Sequence, residues 1–82
     1  EVWSLDTGSQ RKVSHLLGHP RFHHIHDSVL NEDMVEAAVS RVDLIYHLAA
    51  VVGVEHYVAD PYNVLNVNIN GTQAVLQAAH KH

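Results

Sequence analysis

The sequence predicts an α/β layer fold with a parallel sheet, and two observations point to it. Segments rich in strand-forming residues alternate with segments of helical periodicity, in the order strand, helix, strand, helix, strand, loop, long helix. The third strand segment, LIYHLA, carries apolar residues on both faces, which is typical of a parallel strand covered by helices on each side. Such alternation favours parallel strands joined by right-handed crossovers.

The first half of the chain is predicted to contain two strands with a short helix between them. Residues 1–6 are rich in strand formers, and the turn sequence TGS follows them. Apolar residues spaced at i, i+3 and i+4 predict a helix over residues 10–17, which Gly18 and Pro20 end. The sequence RFHHIH predicts the second strand over residues 21–26.

The second half is predicted to contain a helix, a buried strand and a long helix. Asn31 is a suitable cap for the first of these helices, and acidic residues favour its positive end. A strand is expected over residues 43–49. Asp60 followed by Pro61 is a strong helix start, and the helical pattern continues from there to about Ala79.

Length, composition and charge restrict the kinds of protein that fit. The 82 residues suffice for one small domain, and 46% hydrophobic with 17% charged residues is a globular composition. A net charge of −4 without a basic stripe argues against nucleic acid as a partner. No apolar run approaches the length of a membrane span, and cysteine is absent, so we expect a soluble cytoplasmic protein.

Asn68 lies in the middle of an apolar helix face. At about 100° per residue, five other residues of the long helix fall within about 60° of it, whereas Asn66 and Asn70 fall nearly opposite. A buried amide without partners costs about 1 to 3 kcal/mol, so Asn68 needs a role: it either bonds a neighbouring main chain or supports an active site. Gly71, one turn on, suggests that another backbone passes close. The five residues are Val64, Leu65, Thr72, Val75 and Ala79.

Histidine occurs at nine positions and raises the question of a metal site. His24 and His26 would share one strand face, and zinc accepts imidazole ligands. A closed site needs further ligands, and no cysteine is present, so we expect solvated histidines at the strand end and no metal. His47, inside the apolar strand, is expected to be a hydrogen-bonded core histidine rather than a catalyst.

Asp6 and Asp27 both follow predicted strands, at the edge where open α/β sheets bind ligands. A carboxylate at such a strand end can accept hydrogen bonds from ribose hydroxyls and repels a 2′-phosphate, although each aspartate alone could simply cap a turn. Arg11 and Lys12 leave binding of NADP open. The sequence contains no G-x-G-x-x-G and no tyrosine followed four residues later by lysine.

The segments VDLIYHLAAVVGV, DP and NVNINGTQAVLQAA together resemble the fourth strand and following long helix of extended short-chain dehydrogenase/reductases. The subgroup is the NAD-dependent nucleotide-sugar epimerases, dehydratases and decarboxylases. HLAA and N-x-N-G-T are the specific parts, while SLDTGS and IHDSV fit the ends of the second and third strands. The resemblance covers residues 1–82 and implies a partial NAD(P)-binding Rossmann domain, with strands two to four of a doubly wound parallel sheet.

The resemblance implies a cofactor site. NAD, rather than NADP, would lie against Leu48, Ala49 and Ala50, which would explain why the apolar strand ends in two small residues. Asp6 would hold the adenosine ribose. Asp27, together with the backbone of Ser28, would contact the adenine.

The resemblance also implies a substrate side. Val51, Gly53 and Val54 belong to the loop that would border the nicotinamide and a nucleotide-sugar substrate. Asn68 would support the active site from the long helix, without acting on the substrate itself. The full-length protein of this family could be a homodimer.

Two parts of the family are missing from these residues. The first strand and its glycine-rich loop would precede Glu1, and the catalytic tyrosine and lysine would follow His82. We therefore expect that the chain is not catalytic alone, and that a gap with two unpaired edges separates the strands ending at Asp6 and Ala49. The alternatives are a small non-enzymatic α/β binding module and a histidine-rich metal-binding protein.

Overall fold

The computed structural model describes all residues from 1 to 82. Two strands and one 3-10 helix form the first third of the chain, and helices dominate the rest. Their bounds are β1 Val2–Asp6, the 3-10 helix Gln10–Leu16, β2 Phe22–His26, α1 Glu32–Val39, α2 Val54–Ala59, α3 Pro61–Leu65, a π-helical segment Asn66–Gly71, and α4 Thr72–Lys81. No helix combines the length and the apolar character needed to cross a membrane.

β1 and β2 pair in parallel, in a register that runs from Val2 opposite Phe22 to Asp6 opposite His26. Both strands therefore end at the same edge of the sheet, as the sequence predicts. The helix predicted between them is a 3-10 helix rather than an α-helix, and the Ser9 side chain caps it by accepting a hydrogen bond from the Arg11 N–H. The α/β fold class is confirmed.

The strand predicted over residues 43–49 is not formed. These residues have no regular secondary structure, and none of their backbone N–H groups bonds to another backbone group. A groove of about 530 Å³ separates β1 from residues 45–49, so no strand lies within pairing distance. The apolar pattern was correct, but a segment becomes a strand only when a neighbouring backbone pairs with it. The groove lies where we expected the gap in the sheet.

The core lies between α1 and α4. Its central cluster consists of Val29, Val35, Val39 and Ala78, and Leu5, Ala49, Val67 and Val75 pack against it. Only seven of the 82 residues are buried, so the core is small.

An ion pair between Glu36 and Lys81 also joins α1 to α4, on the solvent-exposed side of the two helices. The hydrogen bond from the Lys81 ammonium holds the pKa of the Glu36 carboxyl below its usual range. Because this carboxyl is exposed, the contact adds little to stability compared with the apolar cluster.

The long helical run begins as predicted, since the Asp60 carboxylate accepts a hydrogen bond from the Asn63 N–H and Pro61 takes the first helical position. Its middle departs from α-helical geometry between Asn66 and Gly71, where the hydrogen bonds follow the wider π pattern. Because a π-helical turn contains more residues than an α-helical turn, side chains before and after it point in directions around the helix axis that α-helical spacing does not predict. Leu65, predicted on the buried face, is therefore 59% exposed, while Val64 is buried. Ala79 is also exposed.

Gly71 marks the closest approach between the long helix and the rest of the chain. A Cβ atom built on Gly71 would lie 2.5 Å from Cγ2 of Val29, well inside van der Waals contact. The neighbour is thus a buried side chain rather than the backbone that the sequence suggested. The absence of a side chain at position 71 allows the helix to pack onto the core cluster.

We predict that Gly71→Ala destabilises the protein although alanine is the better helix former. The helix-propensity gain of about 1 kcal/mol is smaller than the cost of about 1 to 3 kcal/mol for overpacking against Val29. Gly18→Ala is the matched control, because nothing lies within 4 Å of a Cβ there. Urea unfolding of the wild type, Gly71→Ala and Gly18→Ala measures the difference in the free energy of unfolding. If Gly71→Ala is as stable as Gly18→Ala, the close approach to Val29 is not a constraint.

Candidate functional site

The carboxyl ends of β1 and β2 open into a cleft of about 300 Å³. Four separate parts of the chain meet there: the end of β1, the turn after β2, the segment that follows residue 48, and the long helical run through Asn63 and Val67. This is the sheet edge at which open α/β folds bind ligands. Six of the predicted site residues line the cleft: Asp6, Asp27, Ser28, Ala49, Ala50 and Val51.

Asp6 ends β1 with an exposed side chain. Its Oδ1 accepts a hydrogen bond of 2.8 Å from the Gly8 N–H, which fixes the carboxylate over the turn. A Cβ atom on Gly8 would lie 3.3 Å from the same oxygen, so a larger residue would crowd the carboxylate. The structure gives Oδ2 no partner within the chain, so this oxygen can accept hydrogen bonds from a ligand.

Asp27 lies in the turn between β2 and α1, and the chain itself holds both of its oxygens. Oδ1 accepts from the Ser28 N–H at 2.7 Å, and Oδ2 accepts from Nδ2 of Asn31 at 2.9 Å. Asn31 in turn caps α1 by accepting from the Met34 N–H. Each oxygen retains further acceptor capacity, so a preorganised carboxylate faces the cleft.

Ala49 and Ala50 line the same cleft as the two aspartates. Ala49 is half-buried against the core cluster, whereas Ala50 is exposed. Because neither side chain extends beyond Cβ, the backbone here is open to a ligand. Leu48 lines the groove rather than the cleft, and its side chain is 87% exposed.

The predicted substrate-side residues lie farther along the chain. Val51 lines the cleft, while Gly53 and Val54 lie outside it, at the start of α2. Gly53 has a φ of 109°, a conformation that favours glycine. Val54 is 75% exposed. Gly53 thus turns the chain out of the cleft and into α2.

Asn68 is the residue that fixes the cleft to the long helix. Its Oδ1 accepts from the Val51 N–H at 2.8 Å, and its Nδ2 donates to the Val51 carbonyl at 3.0 Å. One amide side chain thus pairs with both polar groups of one backbone residue. The sequence left two roles open for Asn68. In the structure it bonds a neighbouring main chain, which is the first of them.

A second polar contact joins the same two parts of the chain. Nε2 of His47 lies 3.0 Å from Oγ1 of Thr72, and that hydroxyl donates to the Asn68 carbonyl at 2.6 Å. His47 is therefore a hydrogen-bonded, half-buried histidine, as expected. No role was predicted for Thr72. Two signals pointed to it: its place four residues after Asn68 on the same helix face, and its position in the N-x-N-G-T motif.

The histidines of β2 do not form a metal centre. No group of three or more histidine and acidic side chains is placed to hold a metal ion. His26 contacts the Thr7 carbonyl at 3.1 Å, and His24 stacks on Phe22 with both ring nitrogens buried and unpartnered.

Comparison with known proteins identifies the family. The model of the family described as "NAD dependent epimerase/dehydratase family" matches residues 1–82. The chain belongs to this family. The match confirms the resemblance seen in the sequence.

UDP-glucuronic acid decarboxylase 1 of Arabidopsis thaliana is 33% identical over 75 residues, which are 92% of this chain and 16% of the relative. dTDP-glucose 4,6-dehydratase of an Actinoplanes species is 29% identical over 92% of this chain and 23% of its own length. The chain thus spans less than a quarter of the length of either relative.

A solved structure supports the same assignment for the fold. The dTDP-glucose 4,6-dehydratase DesIV of Streptomyces venezuelae, solved with NAD bound, superposes with a TM-score of 0.90 at 27% identity. The superposition covers 99% of this chain and 26% of DesIV. Residues 1–82 therefore follow part of the fold of a dehydratase of this family.

We predict that Asn68→Leu destabilises the protein by about 1 to 3 kcal/mol, because the Val51 N–H and carbonyl lose their partners in a half-buried position. Asn70→Leu is the matched control, since Asn70 is exposed and bonds only the neighbouring Asn66 side chain. Chemical denaturation of both variants measures the two changes. Equal losses for the two variants would contradict the special role of Asn68.

Proposed function

We propose that this chain forms the adenosine side of the cofactor site and the floor of the active site in an NAD-dependent nucleotide-sugar epimerase, dehydratase or decarboxylase. The observation that carries the proposal is the cleft. Residues from four separate segments converge there, at the carboxyl edge of a parallel sheet, and two carboxylates and two alanines are among them. The family membership supports the same function.

Asp6 would accept hydrogen bonds from the hydroxyls of the adenosine ribose through its free Oδ2. Its negative charge disfavours the additional 2′-phosphate of NADP, which supports NAD as the cofactor. Arg11 and Lys12 are exposed on the 3-10 helix and are not among the residues that line the cleft.

Asp27 and Ser28 would contact the adenine, and Ala49 and Ala50 would lie beneath the cofactor. The hydrogen bonds from Ser28 and Asn31 hold the Asp27 carboxylate in place before a ligand binds, which lowers the entropic cost of binding. Leu48 would contribute only through its position next to Ala49, because its side chain faces the groove.

Val51, Gly53 and Val54 would border the nicotinamide and the sugar of the substrate. The main chain of Val51 is held by its hydrogen bond to Asn68. The Val54 side chain is exposed and therefore accessible to a substrate. Asn68 would thus support the active site through the main chain of Val51. Bound NAD would supply hydride transfer, and we propose that the proton-transferring residues lie in another part of the complete protein.

The experiment is NAD binding to the complete protein, followed by turnover assays with UDP-glucuronic acid and dTDP-glucose. We expect NAD to bind, and Asp6→Asn to weaken NAD binding by about tenfold while reducing the preference over NADP, because a charge-assisted hydrogen bond is lost. Asp33→Asn, at an exposed position of α1, is the matched control. If the wild-type protein does not bind NAD, or if both variants bind it equally, the proposal fails.

We also propose that the complete protein is a homodimer. The long helix supports this with an apolar stripe, because Tyr62, Leu65, Ile69 and Leu76 are each between 59% and 75% exposed. Several large apolar side chains exposed on one helical run are typical of an interface. Light scattering on the complete protein is expected to give twice the monomer mass, and Ile69→Glu is expected to give the monomer mass. A monomeric wild-type protein would contradict this.

A further inference from the structure

The segment of residues 43–52 has few connections to the rest of the chain. None of its backbone N–H groups bonds to a backbone carbonyl, and no ion pair includes it. Three hydrogen bonds attach it: the Val51 N–H donates to Asn68, the Asn68 amide donates to the Val51 carbonyl, and one bond joins His47 and Thr72. All three therefore end on two residues of the long helix, four positions apart.

The proton positions in this contact follow from its geometry. Oγ1 of Thr72 lies 2.6 Å from the Asn68 carbonyl oxygen, and two oxygens this close require a proton between them. The threonine hydroxyl has one proton, which it donates to that carbonyl. Its lone pairs remain for Nε2 of His47 at 3.0 Å, so Nε2 must carry a proton and donate it.

The two attachment points lie on either side of the alanines. His47 is two residues before Ala49, and Val51 directly follows Ala50. The hydroxyl of Thr72 also bonds to Asn68, so the two anchors belong to one connected set of hydrogen bonds. Removal of either anchor would leave the alanine backbone with a hydrogen-bonded anchor on one side only, beside the packing of Ala49 on the core cluster.

We propose that His47 is a positioning residue, which holds the backbone of Ala49 and Ala50 at the cleft by donating from Nε2 to Thr72. This inference rests on the proposed function, because the alanines matter to catalysis only if NAD lies against them. His47 itself contacts neither the cofactor nor the substrate. It acts through the main chain on which the cofactor would lie, as the second anchor beside Asn68.

The test compares variants that keep or remove each half of the contact in the complete protein. His47→Gln keeps an N–H donor at a similar distance from the backbone, whereas His47→Leu removes it. Thr72→Ser keeps the hydroxyl, and Thr72→Val removes it with little change of shape. His15→Leu, an exposed histidine of the 3-10 helix without side-chain hydrogen bonds, is the control.

We expect His47→Leu and Thr72→Val each to weaken NAD binding by about tenfold, as the loss of one half-buried hydrogen bond would. His47→Gln, Thr72→Ser and His15→Leu should stay within about twofold of the wild type. The double variant His47→Leu, Thr72→Val should be no weaker than either single variant, because both remove the same contact. KM for NAD should rise more than kcat falls.

A purely structural role would give a different pattern. In that case His47→Leu lowers the melting temperature but leaves NAD affinity unchanged, and the proposal is overturned. Additive effects of the two substitutions would also overturn it. The nitrogen chemical shifts of the His47 ring, measured by NMR, test the proton at Nε2 without NAD. They therefore distinguish failure of this contact from failure of the cofactor assignment, and a ring protonated only at Nδ1 would refute the contact.

Discussion

The pairing of the Asn68 amide with the main chain of Val51 is the interaction on which the site depends. The segment of residues 43–52 contributes one side of the cleft but belongs to no helix or strand. A strand would normally be held by a ladder of backbone bonds along its length. Here a side chain replaces the ladder, and it satisfies the N–H and the carbonyl of a single residue. The position of Ala49 and Ala50 relative to the two aspartates follows from that contact.

Asn68 can reach Val51 only because of how the long helix is placed. Gly71 lets the helix approach Val29 more closely than any side chain would allow, and α4 then packs on α1 through Ala78. The π-helical turn lies between Asn66 and Gly71 and contains Asn68. Turns of this kind frequently occur at functional sites, where they change the direction of a side chain. The helix thus serves both the core and the cleft.

Features that depend on neighbouring residues in the sequence were predictable. The caps at Asn31 and Asp60 rely on local hydrogen bonds, and both are present. The half-buried, hydrogen-bonded state of Asn68 followed from its place on an apolar stripe. The strand predicted over residues 43–49 was wrong although the gap beside it was expected, because an apolar pattern forms a strand only where a neighbouring backbone pairs with it. Leu65 was placed on the wrong face because α-helical spacing does not hold across a π-helical turn.

Hydrogen exchange of the Val51 amide measures the central contact most directly. Among residues 43–53, the Val51 N–H is the one that the structure shows hydrogen-bonded, while the neighbouring Val52 N–H has no partner. We expect the Val51 amide in the complete protein to exchange more slowly than that of Val52, and to lose this protection in Asn68→Leu. Equal exchange rates for Val51 and Val52 in the wild type would contradict the account.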